Sequence, residues 1–444
     1  MTYDGRVIWL ALALCASAGQ DSRVAGRPGR APAGRKPVID VSFRKGLQTP
    51  DKVDAPVAPI RDVAAGALPA AASQDGSAYP RALANAALNA RVTAILPRAY
   101  RERWKAEHGL RETPQAALCA SGRVLVYGGG SWRLLDDRGK SVAQGSYGSG
   151  PIVLDAGNNL FYTVNANGYL VAIKLADGVL LFRHSLDYAD NLVRPLVARI
   201  GDRLLAGGSE LRSYPETRVP PSLTAFEFID LDAPLRTNDS GSVLSLKDSG
   251  VLEVSTSRVW SAIAGSELVF AVSGRVYWAS TNLKVKSAVE GDFEPLSLSL
   301  DESARAYLLV ESGGGMRLWV LARDGHRTVD YPVPLPQRDL VAPPAIGYDH
   351  RIFLVGAHLV VALDSAGKLL WERPVAGRVQ GASVTPDGRL LVGAGNELLA
   401  VGADGETTVL YRLPEPLSAA PAIILNREIL AVSAKTIYCL EHVP

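Results

Sequence analysis

The stretch VVALDSAGKLLWERPV, residues 360–375, contains the pattern that decides the fold. Two apolar-rich runs flank a short polar turn, and the second run contains Trp371. Short apolar runs on both sides of such a turn are typical of a β-hairpin. Asp364 can accept hydrogen bonds from the turn amides, and Gly367 can adopt the positive φ that a tight turn requires. The stretch therefore predicts a hairpin that carries a large aromatic residue on its outgoing strand.

Similar turns recur along the chain and divide it into repeated units. They are spaced by about 40 residues, apart from one gap of 147 residues that divides into three longer units averaging about 49. Each unit has an opening strand, two further strands joined by polar turns, and a fourth strand that ends on an aromatic residue such as Phe182 or Tyr411. Four antiparallel strands in about 40 residues are typical of a β-propeller blade. The turn glycines are Gly139, Gly178, Gly325, Gly367 and Gly405.

The last unit stops after three strands, which predicts how the ring closes. Residues 101–107 contain Trp104 in a context that resembles that of Trp371. We therefore expect this segment to pair with the C-terminal strand near Tyr438, since an open ring would expose a sheet edge. The predicted fold is all-β, an eight-bladed propeller of four-stranded antiparallel blades. Seven blades is the alternative, because the repeat pattern of strands and turns is not clear in residues 212–257.

The region ahead of the repeats differs in composition. Residues 1–18 predict a signal peptide, with a short apolar run followed by small residues. Cys15 raises the alternative of a lipid anchor. Residues 19–80, rich in Ala, Pro, Gly and Arg, predict a disordered linker. Residues 81–100 predict a short helical or irregular lead-in, and residues 101–444 the propeller. No run in the mature chain predicts a membrane span.

The resemblance to a known family follows from the same residues. Ala362, Asp364, Gly367 and Trp371 resemble the repeat of the pyrroloquinoline-quinone-like (PQQ-like) β-propellers, and a longer-spaced copy retains Gly178 and Phe182. The resemblance covers residues 101–444. Within the family it points to the BamB-like branch of envelope scaffolds, which have no catalytic centre, with the quinoprotein dehydrogenases as the other branch.

Composition and spacing argue against several kinds of chemistry. Lys and Arg number 47 against 45 Asp and Glu, and the net charge of +2 does not predict nucleic-acid binding. The six His show no ligand-type spacing, and no vicinal cysteines occur. We therefore predict no catalytic, cofactor-binding or metal-binding residues. Cys119 and Cys439 are predicted to lie too far apart for a disulfide and to be free thiols.

The predicted function is a non-catalytic, exported, monomeric ring that binds protein partners in the periplasm or at the outer membrane. Secretion is the alternative location. The alternatives for function are a PQQ-dependent oxidoreductase and a glycan- or peptide-binding sensor. The sequence points to one partner loop, within residues 212–250, because loops on a rigid scaffold commonly carry contacts. Its candidate contact residues are Tyr214, Pro220, Pro221 and Phe226.

Overall fold

In the computed structural model, almost all of the regular structure is β. A single 3₁₀ helix, Gln337–Asp339, accompanies 37 strands in the described part of the chain. The described residues are 47–48, 57–59, 61–62, 95–110, 115–118, 123–128, 130–146, 152–155, 160–164, 169–174, 177–185, 196–200, 203–211, 222–230, 236–238, 241–243, 251–254, 260–264, 267–272, 274–280, 285–423 and 428–443.

Four strands precede the first complete sheet. They are β1 (Leu47–Gln48), β2 (Val57–Pro59), β3 (Arg61–Asp62) and β4 (Tyr100–Glu107). Sheet 1 then consists of β5 (Gln115–Leu118), β6 (Val124–Gly128), β7 (Ser131–Leu135) and β8 (Ser141–Ser146). Sheet 2 contains β9 (Ile152–Asp155), β10 (Leu160–Val164), β11 (Tyr169–Lys174) and β12 (Leu180–Ser185).

Sheet 3 is interrupted by a hairpin. It starts with β13 (Leu196–Ile200), β14 (Arg203–Leu211) and β15 (Ser222–Asp230). The hairpin of β16 (Arg236–Asn238) and β17 (Gly241–Val243) follows, and β17 pairs in parallel with β12 of sheet 2. Strand β18 (Val251–Val254) then pairs with β15 and completes sheet 3.

The next two sheets are regular meanders. Sheet 4 contains β19 (Trp260–Ala264), β20 (Glu267–Val272), β21 (Arg275–Ser280) and β22 (Val285–Glu290). Sheet 5 contains β23 (Glu294–Leu300), β24 (Ala306–Ser312), β25 (Gly315–Leu321) and β26 (His326–Pro332).

The remaining sheets end the chain. Sheet 6 contains β27 (Ala345–Ile346), β28 (Ile352–Val355), β29 (Leu359–Leu363) and β30 (Leu369–Pro374). Sheet 7 contains β31 (Val379–Val384), β32 (Leu390–Ala394), β33 (Glu397–Val401) and β34 (Thr407–Arg412). Sheet 8 contains β35 (Ala422–Ile423), β36 (Ile429–Val432) and β37 (Thr436–His442), and its fourth strand is β4.

The quoted stretch folds as a hairpin of β29 and β30. The four residues Val360–Leu363 are all buried, because both faces of the inner strands pack against apolar side chains. Burial alternates along the outermost strand β30 instead. A β-bulge lies between Ala362 and Leu363 of β29, opposite the start of β30, and a register shift between the third and fourth strands recurs in sheets 1, 2, 4, 5, 7 and 8.

Strand β4 supplies the strand that the last unit lacks. It pairs antiparallel with β37, with Lys105 opposite Tyr438 and Trp104 opposite Cys439. The apolar side chains of sheet 8 pack against those of sheet 1 in one cluster, in which Val432 and Ile437 join Val124 and Val126. The pairing that the sequence predicts near Tyr438 is therefore present.

Three short strands, β1–β3, lie within residues 19–80, for which the sequence predicts a disordered linker. They pair in parallel with the outermost strands of three successive sheets: β1 with β18, β2 with β22 and β3 with β26. Pairing at a sheet edge uses backbone N–H and C=O groups and needs no apolar periodicity, so composition gave no signal for it. Residues 95–99 of the predicted lead-in form neither helix nor strand, and residues 1–46 and 81–94 lie outside the described residues.

Candidate protein-interaction surface

The turn residues singled out by the sequence hold the outer strands in place. The Asp364 Oδ1 accepts hydrogen bonds from the N–H groups of Ala366 at 2.9 Å and Lys368 at 2.8 Å. Gly367 has a φ of +81° and donates its N–H to the Asp364 carbonyl at 3.0 Å. Asp136 holds the turn of sheet 1 in the same way, and the N–H of Lys140 lowers the pKa of its carboxyl. These residues set the geometry of the turn.

The aromatic residues of the repeat pack against the turn glycines of neighbouring sheets. Trp371 lies against Gly405 of sheet 7, where an added Cβ would be 3.0 Å from its Cδ2 atom, and its Nε1 donates to the Ala403 carbonyl at 2.9 Å. Trp132, on the third strand β7 of sheet 1, lies against Gly178 of sheet 2, where an added Cβ would be 2.6 Å from its Cη2 atom. The Trp–Gly contacts therefore join adjacent sheets.

The other predicted repeat residues lie in the same framework. Ala362 is buried and pairs with Trp371. Tyr411 is partly buried against the apolar cluster between sheets 7 and 8. Phe182 lies on β12, where its backbone pairs with Ala172.

The predicted partner loop lies largely outside the described residues. Tyr214, Pro220 and Pro221 fall there, whereas Phe226 lies on β15 with its backbone opposite Gly207 and Leu252. The predicted role of this loop in binding stays a prediction.

The described residues contain no group of three or more His, Cys, Asp or Glu side chains that could hold a metal ion. Cys439 is a buried free thiol, and burial raises its pKa to about 12. Cys15 and Cys119 lie outside the described residues.

A buried cluster of charged residues joins sheets 5 and 6, and sequence reasoning missed it. Asp301 is fully buried, and its Oδ2 accepts hydrogen bonds from the Arg305 Nε at 2.5 Å and the Tyr307 hydroxyl at 3.1 Å. Arg305 Nη2 lies 3.2 Å from Nδ1 of His350, whose Nε2 is 3.6 Å from Glu302 Oε1. Asp301 also accepts from two backbone N–H groups of its own turn. Both oxygens of the Asp301 carboxylate therefore accept hydrogen bonds. We interpret the cluster as a structural contact between sheets 5 and 6.

Exposed aliphatic side chains concentrate on or next to the outermost strands. Val142 is 42% exposed on β8, Leu369 and Leu370 are 43% and 45% exposed on β30, and Val409 is 39% exposed on β34. Val179, which precedes β12, is 50% exposed. Among the described residues, most of the exposed large aliphatic side chains therefore lie at the outermost strands, which we call the outer rim, and Ile95 and Val443 lie elsewhere.

Strand β4 has a different surface. Its exposed side chains are mostly charged, and Arg101 pairs with Glu441 at 2.7 Å while Arg103 pairs with Glu428. Charged side chains on an edge strand disfavour pairing with another chain. Among the outermost strands whose side chains the structure describes, the exposed aliphatic residues lie on or next to β8, β12, β30 and β34.

The fold and this rim define an all-β repeat protein built from four-stranded antiparallel sheets, and its structural neighbours include propellers. Residues 273–442 match the family model described as outer membrane protein assembly factor BamB, which confirms the resemblance predicted from the repeat. No curated protein matches the chain in sequence.

Two solved structures illustrate the likeness of fold. BamB from Moraxella catarrhalis has a TM-score of 0.51 and 12% identity, with 77% of this chain and 100% of that chain covered. Sqt1 from Saccharomyces cerevisiae has a TM-score of 0.52 and 12% identity, with 79% of this chain and 100% of that chain covered. At this identity the likeness concerns the fold alone. Among helices of the described residues, none is long and apolar enough to cross a membrane.

Proposed function

We propose that this protein is a non-catalytic scaffold of the cell envelope that binds protein partners. The observation that carries the proposal is the set of exposed aliphatic side chains on the outermost strands, where the repeat residues Asp364 and Gly405 instead form turns and packing contacts. A contiguous exposed apolar patch commonly marks a protein-binding site, and Leu369 and Leu370 are adjacent exposed residues on β30. The match of residues 273–442 to the outer membrane protein assembly factor family supports the envelope as the place of action.

In this proposal the eight sheets form a closed ring of eight blades. Three observations support it: the pairing of β4 with β37, the apolar cluster shared by sheets 8 and 1, and the eight separate sheets in the described residues. Closure by a strand from ahead of the first sheet satisfies the edge of the last one. A closed ring is rigid, which suits a protein that positions partners.

Export is the remaining part of the proposal. The apolar run in residues 1–18 supports it, and the mature protein would act in the periplasm or at the outer membrane as a monomeric ring. No cofactor is required for this role. The partner loop around Tyr214 offers a second contact region in addition to the rim.

Proximity labelling in the native cell tests the proposal. The full chain with a C-terminal labelling enzyme should fractionate with the envelope and label a reproducible set of envelope proteins. A matched assay adds the quinone and Ca²⁺ to purified protein and follows dye reduction with alcohols and sugars. A cytoplasmic location, or quinone-dependent turnover, would contradict the proposal.

A further inference from the structure

The chain adds strands of its own to the outer edges of four consecutive sheets. Strand β17 pairs with β12 of sheet 2, β1 with β18 of sheet 3, β2 with β22 of sheet 4 and β3 with β26 of sheet 5. All four additions are parallel. The outer edge of a sheet in this fold is therefore a surface that accepts an extended polypeptide in one direction.

A short segment suffices to occupy two neighbouring sheets. Val57–Pro59 pair with Ala288–Glu290 at the end of β22, and Arg61–Asp62 pair with His326 and Arg327 at the start of β26. Only Ile60 separates the two strands in sequence. A peptide of about six residues can thus cross from one edge to the next, at the ~3.3 Å per residue of an extended chain.

The other four sheets have no such added strand within the described residues. They are sheets 6, 7, 8 and 1, which follow one another along the chain, with sheets 8 and 1 in contact. Sheet 8 has the charged edge of β4. Sheet 1 exposes the single residue Val142 on β8, whereas sheets 6 and 7 together expose Leu369, Leu370 and Val409 on their outermost strands.

The residue type differs between sheets 5 and 6 at the position on the fourth strand where β3 pairs in sheet 5. Arg327 pairs with the last residue of β25 in sheet 5, and Leu369 holds the same place opposite the last residue of β29 in sheet 6. The backbone of Asp62 lies opposite Arg327. Arg327 lies over the Trp319 ring and pairs with Asp330, whereas Leu369 is 43% exposed, so an occupant of sheet 6 would meet an aliphatic side chain at this position.

We propose that sheets 6 and 7 bind an extended segment of a partner protein, which adds in parallel to β30 and β34 and contacts Leu369, Leu370 and Val409 with aliphatic side chains. This inference rests on the proposed function and names the mode of binding. Backbone hydrogen bonds to a free sheet edge supply affinity, and the side chains beside the edge supply selectivity. The strands β1–β3 show that the outermost strands of sheets 3, 4 and 5 accept a parallel strand, and β30 and β34 hold the equivalent fourth place in sheets 6 and 7.

The test uses full-length protein and a fluorescein-labelled peptide, APVAPIRDV, which has the sequence of residues 55–63. This sequence contains both β2 and β3, so it is a strand that such edges accept. Saturable binding by fluorescence anisotropy is expected, with slower hydrogen exchange of amides in residues 369–374 and 407–412. A peptide N-methylated at alternate residues should not bind, because it cannot pair.

Variants locate the site. The triple change Leu369→Lys, Leu370→Lys and Val409→Lys should weaken peptide binding at least tenfold. Val179→Lys is the matched control, because Val179 is equally exposed but precedes β12, whose edge β17 already occupies. Absence of saturable binding, exchange protection confined to sheets 2–5, or equal effects of the two variants would overturn the inference.

Proximity labelling with the triple variant separates the two proposals. If the peptide fails to bind but the set of labelled envelope proteins persists, strand addition is wrong and the scaffold function stands. If the wild type labels no envelope proteins, the proposed function itself fails.

Discussion

Trp104 and Gly139 touch across the boundary between sheets 8 and 1. A Cβ added to Gly139 would lie 2.6 Å from Cε3 of the Trp104 ring. Trp371 and Gly405 form the same contact between sheets 6 and 7. Strand β4 thus makes the same inter-sheet contact as the fourth strand of another sheet. It does so although Ala106 and its register partner Ile437 are 331 positions apart in the sequence.

Replacing Gly139 should destabilise the protein by two separable effects. Gly139→Ala places a Cβ against Trp104 and also strains a backbone with φ of +81°. Gly314 has the same φ and no heavy atom within 4 Å of an added Cβ, so Gly314→Ala measures the backbone effect alone. We expect the free energy of unfolding, measured in urea, to fall by about 1 kcal/mol in Gly314→Ala and by at least about 2 kcal/mol in Gly139→Ala. Equal losses would contradict the contact.

The buried pair of Asp301 and Arg305 should be sensitive to loss of one partner. Asp301→Asn leaves the buried guanidinium without its carboxylate and should lower the free energy of unfolding by about 3 kcal/mol. The control is Glu397→Gln, which breaks the pair of Glu397 with the largely exposed Arg412 and should cost under about 1 kcal/mol. A loss at Asp301 as small as at Glu397 would show that the cluster is solvated.

Acidification should weaken the protein through His108. Its Nδ1 accepts the Leu110 N–H at 3.1 Å, and its Nε2 donates to the Ser433 carbonyl at 3.3 Å, so the ring is neutral when folded. Burial lowers the pKa of His108, and the nearby cation Arg133 acts in the same direction, whereas the carbonyl of Ser433 and the carboxylate of Glu107 oppose it. The unfolded chain therefore binds the proton first as pH falls.

It follows that stability should decrease as pH falls through about 6.5, the ordinary value for His, towards the lower folded pKa. His108→Gln should reduce this part of the pH dependence. Urea unfolding at several pH values between 7 and 5 measures the pH dependence of the free energy of unfolding. An identical pH dependence in wild type and His108→Gln would contradict the prediction.

The Cys439 thiol should be inert in the folded protein. Burial raises its pKa to about 12, so little thiolate forms at pH 8. We expect alkylation by iodoacetamide to be at least about 100-fold slower in native than in urea-unfolded protein, as read by mass spectrometry of the peptide that contains Cys439. Rapid alkylation of the native protein would mean that β37 is exposed.

The strands and turns of the repeat could be predicted from the sequence because its turns require particular residue types. Asp364, Gly367 and Trp371 each have a local physical role, so their spacing indicated strands, turns and the partner strand at Trp104. The strands β1–β3 escaped this reasoning because backbone pairing at a sheet edge requires no particular residue type. The cluster around Asp301 was not predicted, because an Asp in a turn is usually exposed to solvent. Only the fold shows that His350 of the neighbouring sheet covers it.

Disulfide trapping tests the closed ring most directly. In a background without the native cysteines, the pairs Lys105→Cys with Tyr438→Cys and Ala106→Cys with Ile437→Cys join consecutive register partners. Such pairs alternate between wider and narrower Cα spacings, so at least one suits a disulfide. Ala106→Cys with Leu440→Cys is the control, because Leu440 pairs with Glu102. We predict an oxidised monomer that migrates faster on a non-reducing gel and melts at higher temperature for a register pair only. Failure of both register pairs to crosslink, or equal crosslinking of the control, would contradict closure by β4 and β37.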